Sequence, residues 1–104
     1  MQEIKANNIT VMDLTELDNA ICQTFIICHG TSNTHVSSIA QLVEKELKEN
    51  LEEIPFRKEG YRNAEWILLD YSSVVIHVFQ EHIREFYNIE DLWADAKTTV
   101  LKEN

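Results

Sequence analysis

The chain has 104 residues, 18 of them acidic and 9 basic, for a formal net charge of −9. That length supports one domain with a single modest core, and only two glycines and one proline argue against a loop-rich or disordered chain. The negative balance disfavours nonspecific binding to nucleic acid, whose phosphates need clustered Lys and Arg.

The one basic cluster, Arg57, Lys58 and Arg62, is interrupted by Glu59. A basic protein surface is the more natural partner, unless the acidity serves solubility alone. Cys22 and Cys28 lack the closely spaced, repeated pairs of a metal site and read as small buried hydrophobes in a reducing compartment. No apolar run approaches the roughly 20 residues that span a bilayer. The start, Met1 to Ala6, has no hydrophobic signal region. The expectation is a cytoplasmic protein with no membrane segment.

In chain order, residues 1–8 carry little pattern and are expected to fray. Ile9 to Leu14 reads as a first strand, with Ile9, Val11 and Asp13 on one face. Thr15 to Asn19 is a polar connection. Phe25 to Cys28 is a second strand, extended at its front by Cys22 to Thr24 and ended by His29 and Gly30, where glycine permits a turn. Thr31, Ser32 and Asn33 are candidate helix caps. Val36, Ile39, Ala40, Val43 and Leu47 then form one apolar helical stripe, with Ser37, Gln41, Glu44, Lys45, Lys48 and Glu49 on the other side. Asn50 and the Glu52-Glu53 pair end that helix.

Ile54 to Arg57 is an edge strand or an extended loop, because Pro55 cannot donate to a ladder. Lys58 to Asn63, around Gly60, reads as a loop. Ala64 to Phe79 reads as two strands joined by a tight polar turn. Trp66, Leu68 and Asp70 share one face of the first, while Ile67 and Leu69 point to the other. Val74 to Phe79 is nearly continuous in β-branched and aromatic residues, which suits burial on both faces. Gln80 and Glu81 lead into a short helix, His82 to Tyr87. Asn88 caps a last helix through Leu92, Trp93 and Ala96, with Glu90 and Asp91 in its first turn. The tail from Lys97 is expected to continue this helix and to fray over residues 98–104. The order strand, strand, helix, strand, strand, strand, helix, helix implies a single α/β (α+β) domain over residues 1–104, a mixed sheet flanked by helices with the long helix as crossover.

Candidate chemistry is thin. The Gly30-Thr31-Ser32-Asn33 junction either presents N–H groups to an anion or is an ordinary capped turn. Metal-dependent nucleotidyl transfer needs two carboxylates on one strand face, and Asp70 is followed by Tyr71 and Ser72. Glu44 and Glu46 lie on different faces of a helix. Among His29, His35, His77 and His82, His77 shares a buried strand face with Val75 and Phe79 and reads as a hydrogen-bonded core histidine. Ser32, His35 and Asp70 lack the strained nucleophile turn of a triad. No catalytic residue, metal ligand or cofactor is expected. What remains is a surface. Trp66, Asp70, Tyr71, Phe86, Tyr87 and Trp93 either fill the core or anchor a partner. The core reading is weakest for Tyr87, beside a helix break, and for Trp66, which shares its face with Asp70.

Phe25 to Asn33, Ala64 to Tyr71, Val74 to Phe79, Arg84 to Tyr87 and Leu92-Trp93 together resemble the ribosomal silencing factor family (RsfS, also called Iojap-related). The resemblance runs from Ile9 to Ala96. It implies a small α/β fold related to nucleotidyltransferases but without their catalytic carboxylates. It also implies binding to ribosomal protein fourteen of the large subunit, at the face that joins the small subunit. There the factor would block joining sterically and repress translation when nutrients are scarce. The partner contacts it implies fall on Trp66, Asp70 and Tyr87, with little direct nucleic-acid binding. Apolar edges near Pro55 leave a homodimer open. The alternative is a nucleotidyltransferase-like enzyme or nucleotide-binding module. Three departures stand out: Ser72-Ser73 replaces the usual Gly-Asp, which leaves the turn type open; Cys22-Gln23 replaces Thr-Asp; and the family's N-terminal helix is absent or a stub.

Overall fold

In a computed structural model, residues 7–15, 22–93 and 96–101 are described. The β-branched and aromatic run Val74–Gln80 forms strand β5, the centre of a six-stranded sheet. The elements before it are β1 (Asn7–Asp13), β2 (Thr24–Gly30), α1 (Asn33–Leu51), β3 (Arg57–Glu59) and β4 (Trp66–Asp70); those after it are α2 (Glu81–Tyr87), α3 (Ile89–Leu92) and β6 (Lys97–Val100). The sheet order is β3-β4-β5-β2-β1-β6. β5 runs parallel to β2, with Phe25 opposite Val75, and antiparallel to β4, with Trp66 opposite Phe79. A parallel pair requires a crossover between its strands, and α1 lies within that connection.

α1 begins where the capping residues end. Ser32 Oγ accepts from the His35 N–H at 3.1 Å, and Glu52 closes the helix in a left-handed conformation, φ 55°. Its stripe of Val36, Ile39, Ala40 and Val43 packs on Cys28, Ile67, Leu69, Ile76 and Val78, all buried. Each large apolar side chain fully buried there contributes about 1.5–3 kcal/mol. On the opposite face Met12, Leu14, Phe25, Ile27, Val75 and Phe79 form a second cluster, joined by Ile83, Ile89 and Trp93. Trp66, Leu68 and Asp70 lie on this second face and are half-buried.

Three expectations are corrected. The tail does not continue a helix: Lys97–Val100 is β6, antiparallel to β1, with Val11 opposite Thr99. Thr98, Thr99 and Val100 are stiff β-branched residues, and the outer edge of β1 offers backbone groups that need partners. The last helix is correspondingly one turn, Ile89–Leu92. The edge strand starts after Pro55, at Arg57, so Lys58 and Glu59 belong to a ladder with β4 rather than to a loop. Asn7 and Asn8 belong to β1, which is irregular between Asn7 and Thr10 where Asn8 takes φ 49°. Most of the Thr15 to Asn19 connection, residues 1–6 and residues 102–104 fall outside the described residues.

Candidate partner-binding surface

Trp66 opens β4, and its indole lies half-buried on the sheet face away from α1. Its ring stacks on Phe79, centroids 4.8 Å apart at 29°. The indole Nε1–H donates to His77 Nδ1 at 3.1 Å. Gly60 fits against the same backbone: at φ 94° its missing Cβ would stand 2.0 Å from the Trp66 carbonyl oxygen, so only glycine is tolerated there. Tyr87, the last residue of α2, brings its ring within 5.0 Å of the Trp66 ring and is 52% exposed. Asn88 turns the chain immediately afterwards in a left-handed cap, φ 46°. Phe86 stands edge-on to Tyr87, centroids 5.1 Å apart, and is 79% exposed. Two elements distant in sequence thus build one open aromatic surface.

Asp70 lies at the other end of β4, about 13 Å from Trp66 along a strand that rises 3.3 Å per residue. Its Oδ1 accepts from the Ser72 N–H at 2.8 Å, and its Oδ2 lies 3.8 Å from Arg57 Nη2. The turn type left open by Ser72-Ser73 is now defined. Tyr71 N–H donates to the Val74 carbonyl at 2.8 Å, and Ser73 N–H to the Tyr71 carbonyl at 3.0 Å. Ser72 sits between them at φ 73°, the pattern of a strained γ-turn. Asp70 therefore spends one oxygen holding the turn and keeps the other for a loose pair with the exposed Arg57, which is worth little by itself. Beside Asp70 lies a groove of about 320 Å³, lined also by Phe25, Phe56, Arg57, Leu68, Ser72, Val75 and His77.

His77 is a core histidine, as its strand position suggests. It is 5% exposed, and burial pulls its pKa down to about 4, so the ring is neutral at ordinary pH. Because Nδ1 accepts from Trp66, the proton sits on Nε2, which has no hydrogen-bond partner among the described residues. The cysteines are both free thiols. Cys28 is fully buried, which pushes its pKa up to about 12, and burial also raises that of Cys22.

Arg84 was not singled out by sequence reasoning. It is buried, and its guanidinium donates to both Glu90 carboxylate oxygens (2.8 and 3.1 Å), the Asn8 carbonyl (2.8 Å), Thr10 Oγ1 (3.1 Å) and His29 Nδ1 (3.0 Å). Since arginine only donates, His29 must accept at Nδ1, and its Nε2 lies 3.2 Å from Glu81 Oε2. This network ties α2, and with it Tyr87, to β1, β2 and α3. No periodic signal marks a buried arginine; the Arg84 to Tyr87 block quoted for the family resemblance was the one hint.

The alternatives for chemistry do not assemble. At the Gly30 to Asn33 junction Thr31 N–H donates to His35 Nδ1 at 2.9 Å, Ser32 caps α1, and Asn33 Oδ1 accepts from Gln80 Nε2 at 2.6 Å. It is a capped turn whose polar groups serve the fold. Ser32 follows β2, whereas Asp70 pairs with Val75 at the start of β5, so the two occupy opposite ends of the sheet. Among the described residues no three His, Cys, Asp or Glu side chains group where they would hold a metal ion. No helix among them is long and apolar enough to cross a membrane.

A family model described as "Ribosomal silencing factor during starvation" matches residues 1–104. The chain is 40% identical over 98 residues to the ribosomal silencing factor RsfS of Halalkalibacterium halodurans, covering 94% of this chain and 82% of that one. It is 36% identical over 92 residues to RsfS of Bacillus subtilis, covering 88% and 76%. A crystal structure of a Chromobacterium violaceum protein superposes with a TM-score of 0.84 at 33% identity, covering 97% of this chain and 82% of that one.

Proposed function

This chain belongs to the ribosomal silencing factor family, and from that premise we propose that it binds the large ribosomal subunit through ribosomal protein fourteen and blocks joining of the small subunit by steric exclusion. Translation is thereby repressed when nutrients are scarce. The protein works in the cytoplasm as a binding module rather than an enzyme. The observation that carries this reading is the open surface of Trp66 and Tyr87, rings 5.0 Å apart, continued along β4 to Asp70. Aromatic side chains half in and half out of a core are typical interface anchors. The acidic composition favours a basic ribosomal protein and discourages spreading onto RNA. In the test, purified protein is mixed with separated subunits and run on a density gradient. It should migrate with the large subunit and lower the yield of joined ribosomes. Migration with neither subunit at modest salt overturns the proposal.

A further inference from the structure

We propose that His77 is a positioning residue of the partner surface, holding the Trp66 indole in the one orientation the large-subunit partner reads. The inference rests on the reading above, that Trp66 faces the partner. Stacking on Phe79 fixes the plane of the indole but is nearly indifferent to which edge points inward. The hydrogen bond from Nε1–H to His77 Nδ1, 3.1 Å, removes that freedom: the pyrrole edge is held toward His77, with the Tyr87 ring centroid 5.0 Å from that of Trp66. Cross-strand register makes this possible. Trp66 pairs with Phe79 and Leu68 with His77, so Trp66 and His77 are diagonal neighbours on one face, within reach of long side chains.

Stability alone gives little reason for a histidine here. The strand reads Val-Val-Ile-His-Val-Phe, and a phenylalanine would suit a site flanked by Phe25 (4.7 Å, edge-on) and Phe79 (6.1 Å, parallel). The histidine instead buries an Nε2–H with no hydrogen-bond partner among the described residues, a cost to folding. What it provides that phenylalanine does not is the acceptor for Trp66.

Three variants test the role, each measured for affinity to isolated large subunits, for thermal stability and for the indole N–H proton resonance. Trp66→Ala should abolish tight binding. His77→Phe loses the Trp66 hydrogen bond but also removes the unpartnered Nε2–H, so it should fold with near-parental stability, shift the Trp66 indole resonance, and bind up to about ten-fold more weakly, the limit set by the orientational bias one hydrogen bond supplies. His77→Asn places an amide oxygen near the Nδ1 position. It should recover most of the binding and the indole shift while losing stability through poorer packing. A merely structural histidine predicts the reverse order, with affinity following stability. If Trp66→Ala binds normally, the partner-surface reading falls and this inference with it. If Trp66→Ala weakens binding but His77→Phe does not, the positioning role alone is overturned. The His77→Phe result decides the matter if the Asn variant does not fold.

Discussion

The Ser72 turn offers the cleanest perturbation. Ser72 holds φ 73°, a conformation that costs an L-residue about 1–2 kcal/mol and glycine almost nothing. Ser72→Gly removes that strain but gives the unfolded chain more freedom, which returns about 0.5–1 kcal/mol. The net expectation is a stabilisation of about 0.5–1 kcal/mol, or a rise in Tm of several degrees for a domain of this size. The substitution leaves the Ser72 N–H in place, so Asp70 Oδ1 still accepts it. Asp70→Ala should cost about 1 kcal/mol by freeing that N–H, and Asp70→Asn far less, since an amide oxygen can take the same bond. Chemical denaturation of the four proteins, with Ser72→Gly also combined with Asp70→Ala, measures the coupling. A glycine variant no more stable than the parent would refute the strain argument. The Asn variant then separates two roles: if Asp70 faces the partner as a charge, Asp70→Asn keeps its stability and loses affinity.

Arg84→Met should destabilise by roughly 2 kcal/mol. This is below the 3–5 kcal/mol typical of a broken buried pair because Glu90 is about a third exposed; urea unfolding checks it, and an unchanged midpoint would show that the network adds nothing. Tyr87→Ala, at an exposed site, should change stability by less than about 1 kcal/mol yet cost about 2 kcal/mol or more in affinity for the large subunit, read by gradient co-migration and a melting curve; a large fall in Tm would make Tyr87 a core residue. Gly60→Ala should unfold the β3–β4 region, because its Cβ would meet the Trp66 carbonyl at 2.0 Å; a normal melting curve contradicts the packing. For His77 the folded pKa of about 4 lies below the ordinary 6.5. The unfolded state therefore binds the proton first. Stability is whole above about pH 6.5 and falls as pH drops toward 4, by at most about 1.4 kcal/mol per pH unit. His77→Phe should flatten that part of the denaturation profile, and an unchanged slope would refute the assignment.

Local pattern was enough for much of this protein. The apolar stripe from Val36 to Val43, the Ser32 cap, the β5 run and the alternation of Trp66, Leu68 and Asp70 against Ile67 and Leu69 each specify an element and its faces. A helical or strand period is set by backbone geometry, whatever packs on it later. The tail was misread for the same reason. Lys97 to Val100 is short enough to suit either state, and the unpaired edge of β1, some ninety residues earlier, settled it as a strand by offering hydrogen bonds that a helix would leave unused. Arg84 was invisible because a buried arginine is tolerated only when its five donors find acceptors, and these come from Asn8, Thr10, His29 and Glu90. Asp70 and Ser72 acquired their shared task once the turn closed with Ser72 at positive φ. The sequence by itself determined β2, α1, β4 and β5 with their faces, the family resemblance and the candidates Trp66, Asp70 and Tyr87. Tertiary structure alone decided that Trp66 and Tyr87 meet, that Asp70 stands apart at the turn, and that His77 orients the indole, since each depends on strand register and on how α2 is anchored to the sheet.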